Sequence, residues 1–181
     1  RGRATIGSLW GSQIAVLLGD YVFASSASFV CDTNNIRVIR RFSETIMELA
    51  TGELIEHLTA YDWRQTRKQY EERIYNKTAS LFTTAAQAGA ILSGAPEEAV
   101  QALTSYGKNL GMAFQVVDDI LDFEGTADEV GKPVGNDLAQ GTLTLPAMLL
   151  LERYPEDNPV VALFSGEDPE VNRQRALSMV H

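Results

Sequence analysis

Gln115, Asp118, Asp119 and Asp122 form the densest group of chemically capable side chains in the sequence. At 3.6 residues per turn, Asp118 and Asp122 stand one above the other on a helix, with Gln115 one turn earlier. Side chains so spaced lie about 5–6 Å apart at Cβ. Like charges there repel, and the run before them, Met112-Ala113-Phe114-Gln115-Val116-Val117, is mostly apolar, where unpaired charge is costly. A bound cation relieves both problems. All-oxygen ligands favour Mg²⁺ or Ca²⁺ over zinc, and Mg²⁺ typically uses one or two carboxylates and leaves positions for phosphate oxygens. The plainer alternative is a solvated acidic face at the end of a helix. A calcium loop is excluded, because Asp122-Phe123-Glu124-Gly125 lacks the alternating ligands and the distal Glu.

Composition removes other chemistries. The 181 residues are enough for one domain with a sizeable core. The formal net charge of −9 and the lack of a Lys/Arg-rich run argue against nucleic-acid binding. Only His57 and His181 are histidines, and Cys31 is the lone cysteine, so His-based metal sites, Cys-rich zinc sites and internal disulfides are poor candidates. A lone thiol suits a reducing compartment, and a cytoplasmic location is the expectation. The stretch 125–132 imitates a phosphate-binding loop, but it has one residue too many between its glycines and ends in Lys-Pro. No signal peptide of the usual form begins the chain. Residues 7–30 are apolar and about long enough to span a bilayer. They carry Gln13, Asp20 and several serines, so a buried core or dimer-interface helix is expected instead.

The elements that must position the acidic group read as helix after helix, with no period-two segments. A first helix is expected over 6–30. Polar Cys31-Asp32-Thr33-Asn34-Asn35 then supplies caps for a second. There Ile46, Ala50, Leu54 and Leu58 recur at four-residue spacing, which predicts an inward stripe. A third helix over 66–92 is charged before Asn76 and small and apolar after Thr78. The fourth carries Val100, Leu103, Gly107, Leu110, Phe114, Val117 and Leu121 as a packing stripe directly beside the acidic group. Residues 125–141 read as a glycine-rich loop with unusual charge, and 154–169 as a turn-rich loop.

The segment Phe114-Gln115-Val116-Val117-Asp118-Asp119-Ile120-Leu121-Asp122-Phe123 resembles the second aspartate-rich motif of the trans-type polyprenyl diphosphate synthases. Other segments agree in order: Arg1-Gly2-Arg3-Ala4-Thr5 with Trp10-Gly11, then Lys77-Thr78-Ala79. After the motif come Gly131-Lys132-Pro133, Asn136-Asp137-Leu138 and Gly141-Thr142-Leu143-Thr144-Leu145-Pro146. The resemblance implies an all-α fold, a helical bundle of isoprenoid-synthase type around a deep central cavity, usually as a homodimer. It implies a Mg²⁺-dependent prenyltransferase, with Mn²⁺ as a substitute, that condenses isopentenyl diphosphate with an allylic diphosphate. Asp118, Asp122 and, more weakly, Asp119 would hold the metal. Lys77 and Lys132 would neutralise diphosphate oxygens, Thr78 and Gln115 would face the allylic carbon, and Arg1 and Asp137 would contact substrate.

The family's first aspartate-rich motif would precede Arg1, so residues 1–181 are expected to form a single synthase domain, incomplete at the N-terminus and cut short at the C-terminus. Such a fragment is expected not to catalyse condensation alone. Thr142 stands where short-chain members tend to carry lysine, which leans toward a medium- or long-chain product. Two rivals remain. A non-catalytic regulatory subunit tends to lose the aspartate cluster, whereas a terpene cyclase of similar fold would carry an Asn/Ser/Glu metal motif in its place.

Overall fold

The computed structural model describes residues 4–124 and 134–180, and among them there are only helices and connectors. Helix α1 (Ile6–Trp10) and helix α2 (Ser12–Asp32) stand where one helix was expected. The chain breaks at Gly11, whose φ of 86° lies in the left-handed region. Helix α3 (Ile36–Leu58) begins at Asn35, whose side chain accepts from the backbone N–H groups of Arg37 and Val38.

Next comes one continuous helical path in three parts: α4 (Arg67–Ile74), a π turn (Tyr75–Ala79) and α5 (Ser80–Leu92). Its start is fixed by a capping box between Thr66 and Gln69. Helix α6 (Glu97–Glu124) follows Ser93-Gly94-Ala95-Pro96 and packs along α5. Then come α7 (Asn136–Ala139), α8 (Leu145–Arg153), α9 (Pro159–Phe164) and α10 (Pro169–Val180). Helix α9 lies where a turn-rich loop was expected. Asn158 caps it and Pro159 opens it, a start signal that outweighs the surrounding turn residues.

The main apolar core is formed by Tyr70, Ile74 and Phe123 with residues of α7 to α10 such as Leu138, Ala147, Val160 and Ala176. It anchors the C-terminal end of α6. The middle of the molecule is held by close backbone approach instead. A Cβ on Gly52 would meet the Lys77 backbone N at 2.7 Å, and one on Gly111 would meet Ala79 Cα at 2.6 Å. Only glycine lets α3 and α6 come this near to the π turn.

Two expected buried faces differ in the structure. In α3 the buried residues are Val38, Thr45 and Gly52, while Leu54 and Leu58 are 61% and 79% exposed. In α6, Val100 and Gly107 are buried as expected, but Leu103, Leu110, Phe114, Val117 and Leu121 are exposed. No residue of α2 is buried within the single chain, and the dimer-interface alternative expected for it involves a second subunit. The reason is shared. Helix pairing is decided by the small-residue rows that allow close approach, and among the described residues no element covers the apolar faces beside them. Helix α2 is also the one described helix long and apolar enough, by length and composition, to cross a membrane.

Candidate functional site

A cavity of about 270 Å³ opens between α3, the α4–π-turn path, α6 and the 136–144 segment. Glu56, Arg73, Lys77, Gln115, Asp118, Asp119, Asp137, Thr142 and Thr144 are among its walls. The row Gly107, Gly111, Gln115, Asp119 runs at four-residue spacing, so the glycines that admit α6 to the π turn also turn Gln115 and Asp119 inward. The apolar stripe was expected to take that face; the polar row occupies it.

The three aspartates have three different settings. Asp118 lines the cavity and is half-buried. Asp119 is 2% exposed. Its Oδ2 accepts from the Tyr70 hydroxyl at 2.7 Å, and its Oδ1 accepts from Gln115 Nε2 at 2.9 Å. Burial pushes its carboxyl above the usual aspartate range. The bonds from Gln115 and Tyr70 and the nearby Arg73 charge oppose that rise, and Asp118 adds to it. Burial, then the Asp119 charge, pushes the Tyr70 phenol far above its usual value, so it stays a donor. Asp122 is 1% exposed and is not among the cavity-lining residues. Its carboxylate accepts from the backbone N–H groups of Asn136 and Asp137, at 3.3 and 3.0 Å. It therefore fastens the first turn of α7 to the end of α6, where orphan amides need acceptors.

Of the three aspartates expected to gather an ion, Asp118 and Asp119 line the cavity and Asp122 is not among its lining residues. Among the described residues no group of three or more His, Cys, Asp or Glu side chains converges on a metal position. Asp119 and Asp122 each accept two hydrogen bonds from neighbouring groups.

Lys77 reaches the cavity from the π turn. Its Nζ donates to Glu56 Oε1 at 2.5 Å, with Glu53 at 3.7 Å. Thr78, the next residue, donates its hydroxyl to Gln115 Oε1 at 2.6 Å. Asp137, in the first turn of α7, also lines the cavity. Arg1 and Lys132, also expected at the site, fall outside the described residues.

Several wall residues were not among the expected site residues, Glu56, Arg73 and Thr144 among them. Arg73 is 2% exposed, and burial lowers its pKa from the usual value against the pull of Glu56, Asp119 and Asp137. Its guanidinium donates to Gln65 Oε1 at 2.9 Å and to the Leu143 carbonyl at 2.5 Å, and so pins the 142–144 strap over the cavity. An arginine flanked by charged surface residues gives no sequence signal of burial. Thr144 is also 2% exposed, and its hydroxyl has no hydrogen-bond partner among the described residues. Buried hydroxyls are usually paired, and Thr144 is one of the cavity-lining residues.

The fold of the described residues is of the all-helical class, and its cavity brings acidic side chains together with a lysine and a buried arginine. The comparisons specify the class. The family described as Polyprenyl synthetase matches residues 1–178, and the chain belongs to it. It is 40% identical over 182 residues to solanesyl-diphosphate synthase 2, chloroplastic, of Oryza sativa subsp. japonica, covering 100% of this chain and 44% of that protein. The crystal structure of heptaprenyl diphosphate synthase from Staphylococcus aureus superposes with a TM-score of 0.93 at 32% identity, over 99% of this chain and 56% of that one. A polyprenyl synthase from Caulobacter crescentus CB15, complexed with calcium and isoprenyl diphosphate, gives 0.90 at 31% identity, again over 99% and 56%. The chain spans about half the length of the curated relatives it matches.

Proposed function

We propose that this chain supplies the allylic-diphosphate half of a Mg²⁺-dependent trans-prenyltransferase that joins isopentenyl diphosphate to an allylic diphosphate and makes a long-chain polyprenyl diphosphate. One observation carries the reading: the cavity is lined by Asp118 and Gln115 of α6 together with Lys77, Arg73 and Thr144, whose hydroxyl has no hydrogen-bond partner among the described residues. Oxygen donors in a carboxylate-rich cavity suit a hard divalent cation, and one or two carboxylates plus substrate phosphate is an ordinary Mg²⁺ set. Asp118 is the residue placed to hold it. When bound, Mg²⁺ supplies charge neutralisation for the departing diphosphate.

The chain's own residues do the rest. Lys77 exchanges Glu56 for a diphosphate oxygen, with Lys132 as a second cation. The Thr144 hydroxyl donates to the same anion. Gln115 and Thr78 turn oxygen atoms toward the allylic carbon as its bond to oxygen breaks, in a setting where fixed dipoles act strongly. The isopentenyl double bond then attacks, and the proton it releases passes to the departing diphosphate. Thr142 in place of the lysine common in short-chain members fits a long-chain product. A cytoplasmic homodimer completes the reading, with the exposed apolar face of α2 as the surface that a second subunit covers.

The test is a thermal scan of the chain with inorganic pyrophosphate, with and without Mg²⁺. The melting temperature is expected to rise only when both are present, and the rise is expected to vanish in Asp118→Ala. A rise that needs no metal, or that survives in Asp118→Ala, would count against the site.

A further inference from the structure

Tyr70 and Thr78 lie eight residues apart on one helical path, yet both reach the same face of α6. On a straight α-helix eight residues leave side chains about 80° apart around the axis. The π turn at Tyr75–Ala79 absorbs one extra residue and reduces the offset to about 20°. Tyr70 then meets Asp119, and Thr78 meets Gln115. Gln115 and Asp119, one turn apart on α6, are bonded to each other. The four side chains form one unbroken relay, Tyr70–Asp119–Gln115–Thr78.

With Asp119 ionised, the relay has one consistent direction. A carboxylate accepts and cannot donate, so Asp119 takes the N–H of Gln115 as well as the O–H of Tyr70. With its amide nitrogen held at Asp119, Gln115 must turn its carbonyl oxygen to Thr78. Thr78 must then donate its one proton to that oxygen, which leaves its hydroxyl with lone pairs alone for anything else.

We propose that Tyr70 and Asp119 are positioning residues, which fix the amide of Gln115 and make Thr78 a pure acceptor toward a cationic centre. This deepens, and rests on, the reading that Gln115 and Thr78 face the allylic carbon. It moves Asp119 out of the metal set and leaves Asp118 there. A Gln–Thr pair free to rotate could turn N–H and O–H protons toward a developing cation; the relay removes that orientation. The π turn is what brings Tyr70 and Thr78 onto this one face.

The test uses the ¹⁵N-labelled chain. The side-chain amide signal of Gln115, identified by its loss in Gln115→Glu, is expected away from the free-amide position in the ligand-free protein. Asp119→Asn and Tyr70→Phe are expected to move it back toward that position. Calorimetry then compares two probes. Binding of inorganic pyrophosphate with Mg²⁺ is expected to stay within about threefold in both variants. Binding of a prenyl dimethylammonium ion in the presence of Mg²⁺ and pyrophosphate is expected to weaken about tenfold, the worth of one hydrogen-bonding group that faces a charge. If Asp119→Asn weakens pyrophosphate and Mg²⁺ binding as much as Asp118→Ala does, Asp119 is a metal ligand and the proposal is overturned. An unmoved Gln115 signal in Tyr70→Phe overturns it too. Tyr70→Phe removes a single hydroxyl from a retained ring, so it decides the matter even if Asp119→Asn does not fold. An unsubstituted chain that binds neither probe sinks the prenyltransferase reading, and the amide signal still reports on the relay.

Discussion

Replacing Gly111 with alanine tests whether close approach of α6 to the π turn is what holds the site. The added Cβ would lie 2.6 Å from Ala79 Cα, 2.9 Å from Ala79 Cβ and 3.1 Å from Phe82 Cβ. Carbon atoms rest comfortably at about 3.5–4.0 Å, so the two helical segments must part by roughly 1 Å. The nearest atom belongs to the backbone and cannot rotate away, which puts the overpacking penalty near the upper end of its range, about 3 kcal/mol. Alanine returns about 1 kcal/mol of helix propensity. The net loss is about 2 kcal/mol, or about 4–8 °C in melting temperature for a chain of this size. Gly89 in α5 is the control, since a Cβ there meets nothing within 4 Å. Gly89→Ala is expected to gain about 1 kcal/mol and to raise the melting temperature. The same 1 Å shift would stretch the 2.6 Å Thr78–Gln115 bond out of range, so Gly111→Ala is also expected to move the Gln115 amide signal. Calorimetric scans of the three proteins read the outcome. If Gly111→Ala melts at or above the unsubstituted chain, close approach is not what limits this packing.

Three further outcomes follow from the same geometry. Arg73→Met removes the donor to Gln65 and to the Leu143 carbonyl, and leaves buried acceptors unpaired; a loss of about 2–4 kcal/mol is expected in chemical denaturation. Thr144→Val removes a hydroxyl with no partner among the described residues. It is therefore expected to leave the ligand-free melting temperature unchanged or slightly raised, and to weaken pyrophosphate binding in calorimetry. For Asp119, burial raises the folded-state carboxyl above its unfolded value, so folding favours the protonated form. Its contribution to stability is fully present below the ordinary aspartate range, about pH 3.9, and is lost as the pH rises through the raised value. Metal-free melting curves taken across that window are expected to be flatter in Asp119→Asn than in the unsubstituted chain.

The sequence by itself determined the all-helical class and most helix positions, though not the break at Gly11, the π turn or helix α9. Capping residues such as Asn35 and Thr66, the break at 93–96 and the absence of period-two patterns are local signals, and local backbone energetics reads them directly. The Gln115–Asp122 segment and Lys77-Thr78 were equally legible, because their types and spacing are covalent facts. Which face of each helix turns inward was decided only by tertiary structure. Periodicity favoured the large apolar rows of α3 and α6, whereas burial went to the glycine and polar rows that let backbones meet at the π turn. That turn itself, the division of labour among Asp118, Asp119 and Asp122, and the burial of Arg73 depend on partners far away in the chain. Hydrogen-bond satisfaction in a packed interior is a property of the assembled neighbours, and no window of sequence contains them.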